Sequence, residues 1–227
     1  MIKLEEILNT VIQGDCLEVM KGFDDKSIDL ICCDPPYGID FQSAWRTEWK
    51  RKDKIANDDR PFTDFIPEAY RVLKDTGALL CFTRYDVENE FREKIKEAGF
   101  KLRGQIIWDK VIHGMGDLVG DVAPRHENII FATRGEFTFN GKRPTSVMKF
   151  QRVSPEKLTH PNEKPTDLLY HLISHFSKDN EIVLDCFSGS GSTLYSAKQI
   201  GRPFIGIELD PKYVEATKQK LRQDILI

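Results

Sequence analysis

Ile28-Asp29-Leu30-Ile31-Cys32-Cys33-Asp34-Pro35-Pro36-Tyr37 is the stretch from which the fold is read. Its first six residues are a short, mostly apolar run, the signature of a buried strand in a parallel sheet. The strand ends at a carboxylate, Asp34. Two prolines then fix φ, make a rigid turn and remove two backbone donors. The aromatic ring of Tyr37 follows. Such a turn offers acceptors without competing N–H groups at the carboxyl end of a strand, the edge where open α/β sheets bind ligands. A planar ring bearing an amine, such as a nucleobase, suits these groups.

Further strand-like runs lie on either side: residues 11–13, 78–82, 105–108, 128–132, 181–186 and 203–208. Between them, residues 63–73, 87–98, 165–177, 193–200 and 211–221 carry helical periodicity, with Pro165 and Pro211 at tolerated first-turn positions. This alternation predicts an α/β fold with a mainly parallel sheet covered on both faces. Two segments break the pattern. Residues 40–60 are basic and aromatic, with Trp45 and Trp49, and residues 135–162 are rich in Gly, Pro, Thr, Ser, Lys and Arg. Irregular segments of that length are usually functional or mobile.

The 227 residues suffice for a single domain with a substantial core. Hydrophobic and charged fractions of 40% and 30% are ordinary for a soluble chain. No apolar run approaches the ~20 residues needed to span a bilayer. The polar, acidic N-terminus does not read as a secretory signal, so a cytoplasmic protein is expected. The five cysteines form no C-x-x-C pair and read as buried thiols; the five histidines show no H-E-x-x-H pattern, and no metal is expected. A net charge of −3 excludes a globally basic nucleic-acid coat but not a local basic face.

A second chemical motif lies near the C-terminus. Asp185-Cys186-Phe187-Ser188-Gly189-Ser190-Gly191-Ser192-Thr193 reads as strand end, glycine turn and helix start. Glycines there let the backbone approach a ligand. The next strand ends in Glu208-Leu209-Asp210, placing an acid where it can accept hydrogen bonds from ribose hydroxyls. The pair points to an adenosine-containing cofactor without separating NAD from S-adenosylmethionine. Leu194 at the place of a third glycine counts against the dinucleotide.

Taken together, these motifs resemble the DNA amino-methyltransferases, in the order of their permuted β class. Gly14-Asp15-Cys16 resembles the acidic turn that contacts the cofactor's adenine, and Asp34-Pro35-Pro36-Tyr37 the catalytic tetrapeptide. Trp108-Asp109-Lys110 and Arg125-His126-Glu127 resemble W-x-K and R-x-E stretches, and residues 160–165 the H-P-x-x-K-P segment containing Lys164. The glycine turn resembles D-x-F-x-G-S-G-T with Ser192 as an extra residue. The resemblance implies a Rossmann-like methyltransferase fold with a seven-stranded sheet, one strand, around residues 128–132, being antiparallel. It implies S-adenosyl-L-methionine as cofactor, bound by Asp15, Cys16, Asp34, Lys164, Asp185, Phe187, Ser188, Gly189, Ser190, Gly191, Thr193, Glu208, Leu209 and Asp210. It implies catalysis by Asp34, Pro35, Pro36 and Tyr37.

An exocyclic amine is a poor nucleophile because its lone pair is delocalised into the ring. The Asp34 carboxylate and the Pro35 carbonyl are expected to accept its two N–H bonds and localise that pair, while Tyr37 stacks on the base. The target must first be flipped out of the duplex. Residues 40–60 are expected to be a mobile DNA-contacting loop, with Arg46, Trp49, Lys50, Arg51 and Lys52 on phosphates and bases. Residues 135–162, with Lys142, Arg143, Lys149, Arg152 and Lys157, are expected to be a small target-recognition insertion. The same resemblance implies that aspartate at position 34 favours adenine N6; cytosine N4 and an RNA substrate are subordinate alternatives. A catalytically silent nucleic-acid-binding module and a nicotinamide oxidoreductase are alternatives of other classes. The partner is expected to be double-stranded DNA, with the protein a monomer or homodimer.

Overall fold

The computed structural model describes residues 3–38, 60–114, 119–120, 122–154, 156 and 163–222. Eight strands are described: β1 (Thr10–Gln13), β2 (Ile28–Cys33), β3 (Leu73–Thr83), β4 (Lys101–Asp109), β5 (His126–Thr133), β6 (Val147–Lys149), β7 (Val183–Asp185) and β8 (Phe204–Glu208). They form one sheet in the order β1-β8-β7-β2-β3-β5-β4-β6. Only β5 runs antiparallel to its neighbours. This is the expected α/β arrangement, a mainly parallel sheet with one antiparallel strand, with one correction: the described residues hold eight strands, not seven. The extra strand is β6, three residues inside the polar 135–162 segment, too short to show a period of its own.

The helices are α1 (Leu4–Ile7), α2 (Cys16–Met20), α3 (Ile66–Val72), α4 (Glu88–Glu97), α5 (Thr166–Phe176), α6 (Ser192–Gln199) and α7 (Pro211–Arg222). Strand β2 shows why they fall on two faces. Successive side chains point to opposite sides. Ile31 and Cys33 enter the core with Met20, Phe65 and Phe91, whereas Leu30 and Cys32 enter the core with Leu168, Leu172 and Leu194. All six β2 residues are buried, so the strand needs apolar residues at both parities. Each buried Leu or Ile contributes about 1.5–3 kcal/mol. The one acid in the strand, Asp29, is held by Lys74 Nζ at 2.8 Å and the Ile182 amide at 2.9 Å.

Strands β7 and β2 are neighbours, but their crossovers leave in opposite directions, β7 through α6 to β8 and β2 through α3 to β3. Their carboxyl ends therefore open a crevice at the point where the strand order reverses, the usual ligand position in such sheets. Gly206, beside this crevice in β8, leaves no room for a side chain: a Cβ there would lie 2.3 Å from Leu194 Cδ1 and 3.2 Å from Ser188 Oγ. The loop carrying Ser188 can thus lie flat on β8.

Candidate active site at the carboxyl ends of β7 and β2

The turn after β2 is pinned from outside. The Phe62 amide donates to Pro36 O at 3.0 Å, and Tyr37 pairs with Pro61 in an isolated antiparallel bridge. Pro35 is buried. The Tyr37 ring is 6% exposed and belongs to the inner core, so in this conformation it is not an open stacking surface. Its hydroxyl donates to Asp34 Oδ1.

Four further acids stand along the same edge. Asp15 caps α2, accepting the Leu17 amide at 2.8 Å, and Cys16 behind it is buried. Asp185 ends β7 and accepts the Phe187 amide at 3.0 Å. Glu208 ends β8; its Oε2 accepts the Gly189 amide at 2.7 Å and its Oε1 the Asp210 amide at 2.9 Å. Asp210 in turn begins α7, its carboxylate accepting the Lys212 amide at 2.8 Å. Leu209 is 43% exposed, a large apolar side chain left open at this edge.

The glycine turn is built for close approach. Gly191 has φ +77°, and a Cβ there would lie 2.6 Å from Thr217 Cγ2, so both conformation and space require glycine. The Thr217 hydroxyl holds Gly189 O at 2.8 Å. Phe187 is fixed by edge contacts with Phe62 and Phe65. Ser190 and Thr193 are buried. Among the described residues the buried Ser188 Oγ has no hydrogen-bond partner, a state that costs about 1–3 kcal/mol unless a ligand relieves it.

Burial pushes the Asp185 carboxyl up to about 7, against the lowering by the Thr193 hydroxyl and Phe187 amide; Asp34 and Glu208 add to the rise. Burial raises the carboxyls of Glu208 and Asp34 as well. An edge lined with desolvated acids and an orphaned hydroxyl suits a ligand that carries positive charge and hydroxyl groups.

The sign of the Asp185 shift gives a test. Between the ordinary 3.8 and about 7 the folded protein binds more protons than the unfolded chain, so the free protein loses stability as pH rises through that window. Asp185→Asn should unfold at a higher temperature than the wild type above pH 7, with the difference vanishing toward pH 4. Thermal unfolding across that range checks it; parallel curves for the two proteins would contradict the assignment.

Lys164 occupies a position the sequence did not foresee. Grouped there with the cofactor contacts, it is buried, with its ammonium 2.7 Å from Asp34 Oδ2 and 3.0 Å from Glu127 Oε2. Glu127 also pairs with Lys110 at 2.6 Å. Burial favours neutral Glu127, but Lys164 and Lys110 more than reverse this and hold the carboxyl at about 2. Burial likewise opposes the Lys164 charge, and Asp34 and Glu127 outweigh it. Glu127 and Lys110 were visible only as parts of the R-x-E and W-x-K stretches.

The proposed DNA contacts divide differently. Arg46, Trp49, Lys50, Arg51, Lys52 and Lys157 lie outside the described residues. Lys142 and Arg143 are exposed. Asn140, just before them, bonds to Ser174 O and His175 O in the last turn of α5, the end remote from Lys164. Phe137 and Phe139 anchor this segment on Phe131 and Phe176. Lys149 is paired opposite Asp109 at the end of β6, at the edge that carries the carboxyl end of β4.

The DNA methylase family of N6 and N4 methyltransferases matches residues 28–219. YubD of Escherichia coli (strain K12) is 34% identical over 216 residues, covering 94% of this chain and 90% of that protein. The type II methyltransferase M.HinfI of Haemophilus influenzae is 29% identical over 252 residues, covering 97% and 70%. Among solved structures, the M1.HpyAVI–SAM complex superposes with a TM-score of 0.73 at 22% identity, covering 94% of this chain and 99% of that one. The cytosine-N4-specific PvuII DNA methyltransferase gives 0.74 at 19%, covering 96% and 87%. With its motifs in order along one edge of the sheet, this chain belongs to the N6/N4 DNA methylase family and is an S-adenosylmethionine-dependent DNA methyltransferase.

Proposed function

We propose that the enzyme methylates N6 of an adenine flipped out of double-stranded DNA, at a specific sequence. The observation that carries this reading is the Asp34 carboxylate, ionically held at the mouth of the β7–β2 crevice beside the cofactor loop. A carboxylate has about four lone-pair sites. Tyr37 and Lys164 use two, leaving acceptor capacity toward the crevice.

When bound, S-adenosylmethionine would supply an electrophilic methyl group on a sulfonium, whose sulfur keeps the electron pair of the bond to that methyl and leaves as a neutral thioether. The residues present fit it: Glu208 would accept from the ribose hydroxyls, Asp185 and Asp34 would face its positive charge, and Ser188 Oγ would gain a partner. Asp15 and the exposed Leu209 would flank its adenine. The protein's own task is to prepare the amine. Asp34 accepts one N–H and the Pro35 carbonyl the other, drawing the nitrogen toward tetrahedral geometry with its lone pair free. As the nitrogen–carbon bond forms, the nitrogen must lose a proton, and Asp34 already holds that hydrogen. Acceptors fixed in advance in a dry pocket supply the larger share of the acceleration, with proximity adding to it.

The test is to methylate double-stranded and single-stranded DNA with the purified enzyme, digest the product and identify the modified nucleoside by mass spectrometry. N6-methyladenine from the duplex is the expected result. N4-methylcytosine would transfer the same geometry to the other base, and a preference for single strands would remove base flipping from the account.

A further inference from the structure

Two motif stretches have no part in the chemistry above: Trp108-Asp109-Lys110 and Arg125-His126-Glu127. They face each other across the β4–β5 ladder, Trp108 opposite Glu127 and Asp109 opposite His126. The frame around them is firm. Arg125 grips Asp109 with two hydrogen bonds of 2.7 and 2.8 Å, the Lys110 amide donates to Arg125 O at 2.9 Å, and the Trp108 indole donates to Phe150 O at 2.7 Å. That frame holds Glu127 where it meets Lys164. The result is an unbroken row of alternating charges, Lys110 to Glu127 at 2.6 Å, Glu127 to Lys164 at 3.0 Å and Lys164 to Asp34 at 2.7 Å.

The row answers a physical problem. A carboxylate taken out of water near a second acid tends to take up a proton, and a protonated Asp34 is a poor acceptor for an amine. An ammonium at 2.7 Å keeps it charged, yet an ammonium given wholly to Asp34 would consume the acceptor strength the base needs. Glu127 divides that ammonium between two carboxylates.

We propose that Lys164 and Glu127 are positioning residues that tune Asp34 with opposite signs. Lys164 holds the carboxylate ionised, and Glu127, anchored by Lys110, draws the ammonium back so that Asp34 stays basic toward the amine. The proposal rests on the reading of Asp34 as the amine's acceptor. The groups facing Asp34 are the Tyr37 hydroxyl from its own turn, Lys164 from the segment before α5, Glu127 from β5, Asp185 at the end of β7 and the Cys32 thiol of β2. Burial raises Asp34, Lys164 lowers it and Glu127 raises it, in agreement with the geometry.

The experiment is single-turnover methyl transfer from pH 5 to 9 at saturating S-adenosylmethionine, with cofactor affinity measured separately. Ionised Asp34 is the active form, so the rate rises with pH along an acid limb. Lys164→Met should move that limb to higher pH, lowering the rate on the limb about tenfold relative to the variant's own plateau for each unit moved. Glu127→Gln should move it to lower pH, and Lys164→Arg should leave it in place. A merely structural pair would change plateau rates without displacing the limb in opposite directions. The proposal fails if Glu127→Gln leaves the limb unmoved or raises it, or if Lys164→Met does not raise it. Should Lys164→Met fail to fold, Glu127→Gln decides alone by the same criterion. Transfer retained in Asp34→Ala would refute the acceptor reading itself, a separate outcome.

Discussion

Alanine at position 34 should lower methyl transfer at saturating cofactor by about 10²–10³-fold or more while affinity for S-adenosylhomocysteine, which lacks the sulfonium charge, changes little. Loss of one preorganised group that meets the developing charge typically costs about this much in other enzymes, and here the same carboxylate is also the proton's acceptor. The substitution should not collapse the site. The Phe62 amide still holds Pro36 O, the Tyr37 ring remains in the core, and Lys164 keeps Glu127 as its counter-ion. The measurement is transfer of labelled methyl to duplex DNA alongside equilibrium binding of S-adenosylhomocysteine. A large fall in rate with intact binding is expected. A fall in both would move Asp34 from the chemistry to the cofactor site, and an unchanged rate would contradict the mechanism.

Glu208→Ala should do the reverse, weakening the cofactor about 10–100-fold while leaving transfer at saturation within a few-fold of the wild type. Two effects combine. A charge-assisted acceptor for hydroxyls is worth about 1.5–3 kcal/mol, and its loss leaves the amides of Gly189 and Asp210 without their bonds at 2.7 and 2.9 Å. The Gly189 bond matters more, because it ties the glycine turn to the end of β8 and sets the height of the loop over the crevice. Glu208 is not near the reacting atoms in this reading, so its loss should appear in binding. Calorimetric titration with S-adenosylhomocysteine checks it; a wild-type dissociation constant would show that Glu208 only braces the loop.

The parts of this molecule legible in the sequence are those written locally. Strand β2 and its turn were readable because one short segment contains both the apolar run and the prolines that end it. The glycine turn before α6 was readable for the same reason. Helix α2 was missed because five residues are too few for a period to emerge, and Asp15 was read only as an acidic turn although it caps that helix. Strand β6 was missed because its partner, β4, lies some forty residues earlier and nothing in Val147–Lys149 announces it. The row from Lys110 to Asp34 was hidden for a deeper reason. Its four members come from four separate segments, and only the β4–β5 register and the descent of the chain into α5 bring them together. Lys164, grouped by the motif with the cofactor contacts, can also be read as a surface residue beside a proline; burial and two carboxylates give it its meaning.

The free energy of the site also bears on how it works. Asp185, Glu208 and Asp34 are all raised by burial, so the edge stores an electrostatic cost that a cationic ligand relieves. Stability and affinity are thus coupled: a variant such as Asp185→Asn that makes the free protein more stable should bind its cofactor less well.

The most direct measurement of the central claim is to express the wild type and Asp34→Ala in a methylation-deficient bacterial host and map modified bases across the DNA. N6-methyladenine is expected at one recurring sequence in the wild-type cells and none with the variant. N4-methylcytosine in the wild-type cells, or methylation that persists without Asp34, would contradict it.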